Sequence, residues 1–116
     1  MDNELDLLLG TAIDSLLKLD VLLYLQSRPG SVQSSQDIAA QVRRPPYQVS
    51  ASLDELSQAG LVDRFALGTG RHVLYGPTED EHVQEIIDLL HERYRDPETR
   101  PRIVRGATIS PPQADA

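Results

Sequence analysis

Three histidines and one dense carboxylate cluster are the residues whose chemistry first invites a functional reading. The histidines are His72, His82 and His91; the carboxylates are Glu79, Asp80 and Glu81. Histidine and carboxylate side chains ligate metal ions and exchange protons near neutral pH. Spacing argues against both uses here. His82 and His91 are nine residues apart, which on a helix turns them about 180° from each other. Such a pair cannot close on one ion within a chain. Glu79 to Glu81 follow Gly76-Pro77-Thr78 and open a helical pattern, where negative charge complements the helix dipole. Gly68-x-Gly70 is followed by no helix and no Lys-Ser/Thr pair, so it reads as a turn and not as a phosphate loop. No nucleophile, base and acid stand together in the pattern. The expectation is a protein that is not an enzyme and carries neither metal nor cofactor.

Charge bounds the remaining classes. The 116 residues carry a net charge of −7, which opposes indiscriminate attraction to nucleic acid. The excess is segregated. Residues 1–30 hold five acids against Lys18 and Arg28, and residues 79–96 hold seven against Arg93 and Arg95. Residues 31–78 balance Arg43, Arg44, Arg64 and Arg71 against Asp37, Asp54, Glu55 and Asp63. The middle of the chain is therefore neutral between acidic flanks. With no cysteine, disulfides and thiolate metal sites are excluded. No apolar run approaches the roughly 20 residues that span a bilayer. Met1-Asp2-Asn3-Glu4 is acidic where a secretory signal would be basic. A cytoplasmic protein with no membrane contact is expected.

The elements that must position any site follow from periodicity. Leu5, Leu8, Leu9, Ala12, Ile13, Leu16 and Leu17 share helical spacing, and Leu19 to Leu25 continue it up to Arg28-Pro29-Gly30. Gly10 and the stretch Lys18 to Asp20 are both possible breaks. So much leucine exceeds what one short helix needs, and part of it is assigned to contact with a second copy. Ser34 can cap a short helix, with Ile38, Ala39 and Val42 on its apolar face, ending before Pro45. Pro46 suits a first helical turn. Val49, Leu53, Leu56 and Ala59 then mark a buried face up to Gly60, with Tyr47, Gln48, Ala51, Asp54, Glu55 and Gln58 opposite. Leu61 to Leu67 and His72 to Tyr75, around Gly68-Thr69-Gly70-Arg71, read as a β-hairpin. Thr78-x-x-Glu81 forms a capping box for a helix with Val83, Ile86, Ile87, Leu90 and Tyr94 on one face. Residues 97–116 read as a tail, partly disordered, with Ile103 and Val104 as a small anchored piece.

From Ser34 through Tyr75 the chain resembles winged helix-turn-helix proteins of the MarR/ArsR-like kind. The resemblance is carried by Ile38-Ala39, by Val49, Leu53 and Leu56, by Ala59-Gly60-Leu61-Val62, and by Val73-Leu74-Tyr75 after a glycine turn. Leu17-Lys18-Leu19-Asp20-Val21-Leu22 is similar to the first helix of such domains. It covers about half the chain and implies a mainly α fold with a small β-hairpin. Added N- and C-terminal helices flank a core at 16–78: a helical extension at 1–15 and a helix at 79–96. It also implies a dimeric, sequence-specific regulator of transcription that binds double-stranded DNA. Its recognition helix would run at about 46–59 and its wing at about 64–75.

On that mapping Tyr47, Gln48, Ser50 and Ala51 face the groove. Gln48 can pair with adenine and Ala51 can touch a thymine methyl. Ser34, Ser35, Arg43 and Arg44 lie where phosphates could be held, and Arg71 is the cation of the wing. Plainer roles stand beside these. Arg43, Arg44 and Arg71 can be solvated, Tyr47 can pack against its own domain, and Arg64 can pair with Asp63 or Glu55. Asp54 and Glu55 would face a polyanion, which favours an alternative: an acidic winged helix that docks a basic protein partner. A homodimer through the N- and C-terminal helices is expected. A metal site shared across that dimer is the one arrangement left to the histidines.

Overall fold

The computed structural model describes residues 3–70 and 72–108. In chain order the elements are α1 (Asn3–Leu8), α2 (Leu16–Gln26), β1 (Gln33–Ser34), α3 (Ser35–Val42), α4 (Pro46–Gln58), β2 (Val62–Leu67), β3 (His72–Pro77), α5 (Glu81–Arg95) and α6 (Arg100–Thr108). The chain is mainly helical with a three-stranded antiparallel sheet in the order β1-β3-β2. Among the described residues no helix is long and apolar enough to cross a membrane.

The helical spacing that runs from Leu5 into Leu25 is interrupted. Gly10 takes a left-handed φ of 87°, and its N–H donates to the Ile13 carbonyl at 2.8 Å. The chain thereby turns out of α1 before Ser15 caps α2, its side chain accepting from the Lys18 N–H. Both halves turn most of their apolar residues toward the core. Leu5, Ile13, Leu19, Val21, Leu22 and Leu25 are buried, whereas Leu7 is 71% exposed. Most of the leucine assigned to a second copy is thus used within the chain. Periodicity alone could not show this, because the partner surfaces on α4, α5 and α6 come from distant sequence.

α3 and α4 form the centre. Ser34 Oγ accepts from the Asp37 N–H at 3.1 Å, fixing where α3 begins. Arg43 closes it in the left-handed region at φ 59°, and Pro46 starts α4 as the sequence indicates. Ile38 and Ala39 of α3 meet Val49, Leu53 and Leu56 of α4 in one core with α2. β1 was not foreseen. Its two residues pair with β3, Gln33 opposite Tyr75 and Ser34 opposite Leu74; a two-residue strand has no periodicity to read.

Two boundaries differ from the sequence reading. α5 is capped by Asp80, whose carboxylate accepts from the Val83 N–H at 3.1 Å. Thr78 is buried, and its hydroxyl accepts from the Asp80 N–H instead. Thr78 therefore supports the cap from two residues back, and the Thr78-x-x-Glu81 box does not form. Residues 100–108, read as part of a tail, form α6. Ile103 and Ala107 are fully buried, and Gly106 comes so close to Leu9 that an added Cβ would sit 3.1 Å from the leucine Cβ. The expected disorder beyond falls on residues 109–116, outside the described residues.

An ion pair fastens α1 to α5: His82 Nε2 lies 2.5 Å from Glu4 Oε2. The hydrogen bond to Glu4, then its charge, raise the His82 pKa above 6.5, helped by Glu85 and Asp80 against slight desolvation. A histidine whose folded pKa is raised stabilises the fold fully below its unfolded value. That contribution fades as pH climbs through the raised value. His82→Gln should therefore lower the urea midpoint at about pH 6 and match the parent protein in mild alkali. A difference that persists unchanged at high pH contradicts this role for the pair.

Candidate nucleic-acid interface

The turn between α3 and α4 gathers most of the residues singled out above. α4 buries Val49, Ser52, Leu53 and Leu56. Helical geometry then turns Tyr47, Gln48 and Ala51 outward, with Ser50 half-buried at the edge. Tyr47 is 75% exposed and does not pack sideways on its own domain. The Gln48 amide lies 3.4 Å from the Tyr47 hydroxyl, longer than a good hydrogen bond, so both remain open to another partner.

Arg43 and Arg44 stand at the entrance to α4 and behave differently. Arg44 Nη2 is bound to Asp20 Oδ2 at 2.9 Å, which ties the turn to α2. Arg43 is exposed, and its guanidinium has no ion pair or hydrogen bond among the described residues. Its backbone is the sole non-glycine with positive φ among those residues. That conformation costs an L-residue roughly 1–2 kcal/mol. Glycine would be cheaper there, so a charged side chain at this position points to a use for it.

Ser34 and Ser35 are not part of this cluster. They sit at the opposite end of α3, about 12 Å of helix rise away, and the Ser34 hydroxyl is engaged as a cap. Arg71 lies outside the described residues.

The two carboxylates that oppose a polyanion are both engaged from within. Glu55 Oε1 meets Lys18 Nζ at 2.5 Å, and the same ammonium binds Asp14 Oδ1 at 2.9 Å. Burial lowers the Lys18 pKa, but hydrogen bonds to Glu55 and Asp14 outweigh it and leave the value above the ordinary lysine range. Lys18 is thus charged and committed. Asp54 Oδ1 accepts from the Tyr75 hydroxyl at 2.5 Å and lies 3.6 Å from Arg64 Nε. Burial and then the bond to Asp54 raise the Tyr75 pKa, with Arg64 opposing. Tyr75 remains a neutral donor at ordinary pH.

Arg64 therefore pairs with Asp54, and with neither Asp63 nor Glu55. Alternation along the strand explains it. Arg64 stands opposite Tyr75 in the ladder and shares the face turned to α4. Asp63 points the other way, where it accepts from the Glu79 N–H, and Glu55 is turned toward α2. These links join residues 21 and 37 positions apart, so no local pattern could have signalled them. Tyr75→Phe should cost about 1.5–3 kcal/mol of stability by removing one hydrogen bond to a charged acceptor. A urea midpoint identical to that of the parent would show that this link holds nothing.

The histidines stay apart: His82 faces Glu4, and His91 lies in a cleft with Asp88, Glu92 and Arg95. Among the described residues no group of three or more histidine and acidic side chains could hold a metal ion.

Comparisons with family models, curated proteins and solved structures return no match for this chain.

Proposed function

We propose that the chain is a winged helix-turn-helix protein that binds double-stranded DNA and regulates transcription as a homodimer. α3 and α4 form the helix-turn-helix, α4 is the recognition helix, and β2 with β3 is the wing. The order of helix, short strand, two helices and hairpin supports the fold. One observation carries the function: Asp54 and Glu55 each meet a cation of their own chain, Arg64 and Lys18, and the first half of α4 is exposed and uncharged beside the uncommitted Arg43.

Such a surface suits a major groove. Tyr47, Gln48, Ser50 and Ala51 meet base edges, and a Gln48–adenine pair is worth about 1–3 kcal/mol of discrimination. Arg43 takes a phosphate at the helix entrance, and Arg44 adds a second if it leaves Asp20. The wing contributes little by its strands, because Arg64 is held by Asp54 and Phe65 and Leu67 are apolar. The alternative, an acidic module that docks a basic protein, relies on Asp54 and Glu55, whose carboxylates already have partners.

The test is anisotropy titration of a mixed duplex pool at several salt concentrations. With one or two phosphates held per chain, log affinity should fall with log salt at a slope of roughly −1 to −2 per chain. The Arg43→Ala, Arg44→Ala double variant should bind more weakly and with a flatter slope. Unchanged affinity and slope would remove the mechanism.

A further inference from the structure

β2 is an edge strand. In the order β1-β3-β2 it is paired with β3 alone among the described residues, so its other side presents backbone N–H and C=O groups to an incoming strand. Edges of this kind are normally blunted by lysine, proline, a bulge or a covering helix. The outer half of β2 has none of these. Phe65, Ala66 and Leu67 are all exposed, Phe65 by 40% and Leu67 by 49%.

The ladder register sorts these residues by face. Phe65 stands opposite Leu74 and Leu67 opposite His72, while Ala66 stands opposite Val73 with Arg64 opposite Tyr75. Phe65 and Leu67 therefore share the face away from α4. Val32 extends that apolar strip: an added Cβ on Gly76 would meet both Val32 Cγ2, at 3.5 Å, and Phe65 Cε2, at 3.8 Å. The charged residues of the strand are at its inner end, and Arg64 is drawn to Asp54.

We infer that the edge of β2 pairs antiparallel with β2 of a second copy, so that two three-stranded sheets become one. The occupant follows from the strand itself. A two-fold axis perpendicular to the sheet makes any strand its own antiparallel partner, and this one is self-complementary. With Ala66 opposite Ala66 of the partner subunit, Phe65 falls opposite Leu67 of the partner subunit, twice by symmetry and on one face. Arg64 then meets only the turn glycine, and Asp63 lies beyond the paired apolar residues. Shifting the axis to Phe65 would instead set Leu67 against the carboxylate of Asp63. Residues 31–78 balance four arginines against four acids, so the copies can meet here despite the overall negative charge. This contact differs from one through the N- and C-terminal helices and does not depend on whether α4 meets DNA.

The chain has no cysteine, which makes a register-specific test simple. Opposed residues in an antiparallel pair have Cα atoms about 4.5–5.5 Å apart, within the reach of a disulfide. Ala66→Cys, treated with diamide, should form a covalent dimer, while Leu7→Cys on α1 should not. Light scattering should give the parent twice the chain mass at high concentration. Leu67→Lys should give a single chain whose circular-dichroism spectrum matches the parent's, and whose melt matches it at dilutions where the parent is also a single chain. A parent protein that stays monomeric overturns the proposal. So does a dimer untouched by Leu67→Lys, or one cross-linked through Leu7→Cys and not Ala66→Cys.

Discussion

Ile103→Ala should lower the unfolding free energy by about 2–5 kcal/mol, as deletion of a fully buried aliphatic side chain does in a core that cannot collapse around it. Ile103 is fully buried, and α6 meets both α5 and α2. Gly106 holds the helix close to Leu9, which limits relaxation into the cavity. The expected loss is comparable to that of Leu53→Ala at the centre of α4, another fully buried position. Paired urea titrations of the two variants measure it. A loss under about 0.5 kcal/mol, the size of an ordinary surface change, would mean that α6 is an appendage.

Arg43→Gly should move stability and DNA binding in opposite directions. At φ 59° an arginine holds a conformation that glycine adopts without a Cβ clash. Removing that penalty should raise the unfolding free energy by roughly 1 kcal/mol. The exposed guanidinium has no ion pair or hydrogen bond among the described residues, and its attraction to the α3 C-terminus offsets only part of the gain. If Arg43 holds a phosphate as proposed, the same change deletes that contact on DNA. Affinity should fall by a similar factor for every sequence, and the magnitude of the salt slope should drop by about 1. A merely structural arginine would give the stability gain with no loss of binding. A functional one gives both. Stability that falls instead would mean that Arg43 supports the turn through contacts of its own.

What could be read from the sequence, and what could not, divides by the distance between partners. The caps at Ser34 and the entry of Pro46 into α4 are local events, and residue types three or four apart suffice to place them. The hairpin followed from two β-prone runs around glycines. The outward residues of α4 followed from helical projection, which needs only that Val49, Leu53 and Leu56 face inward.

The states of Asp54 and Glu55 were not legible, because Lys18 and Tyr75 reach them from other elements. Without those partners the two carboxylates look like an obstacle to DNA; in the fold each is met by a cation, Glu55 by Lys18 and Asp54 by Arg64. α6 was missed for a related reason. Its proline and three arginines resemble a tail in composition, and Ile103 and Ala107 are too few to announce a helix. The commitment of Arg44 to Asp20 and the freedom of Arg43 also required the fold, since the two arginines are adjacent and chemically identical.

The most direct measurement is selection of bound duplexes from a randomised library by the full chain at about physiological salt, followed by sequencing. If the first half of α4 reads bases, the retained duplexes share a short element, with adenine at a position whose preference disappears in Gln48→Ala. If the chain acts as a dimer on DNA, that element occurs as an inverted repeat. Retention with no shared sequence, or a preference that Gln48→Ala leaves intact, would contradict α4 as the reading helix.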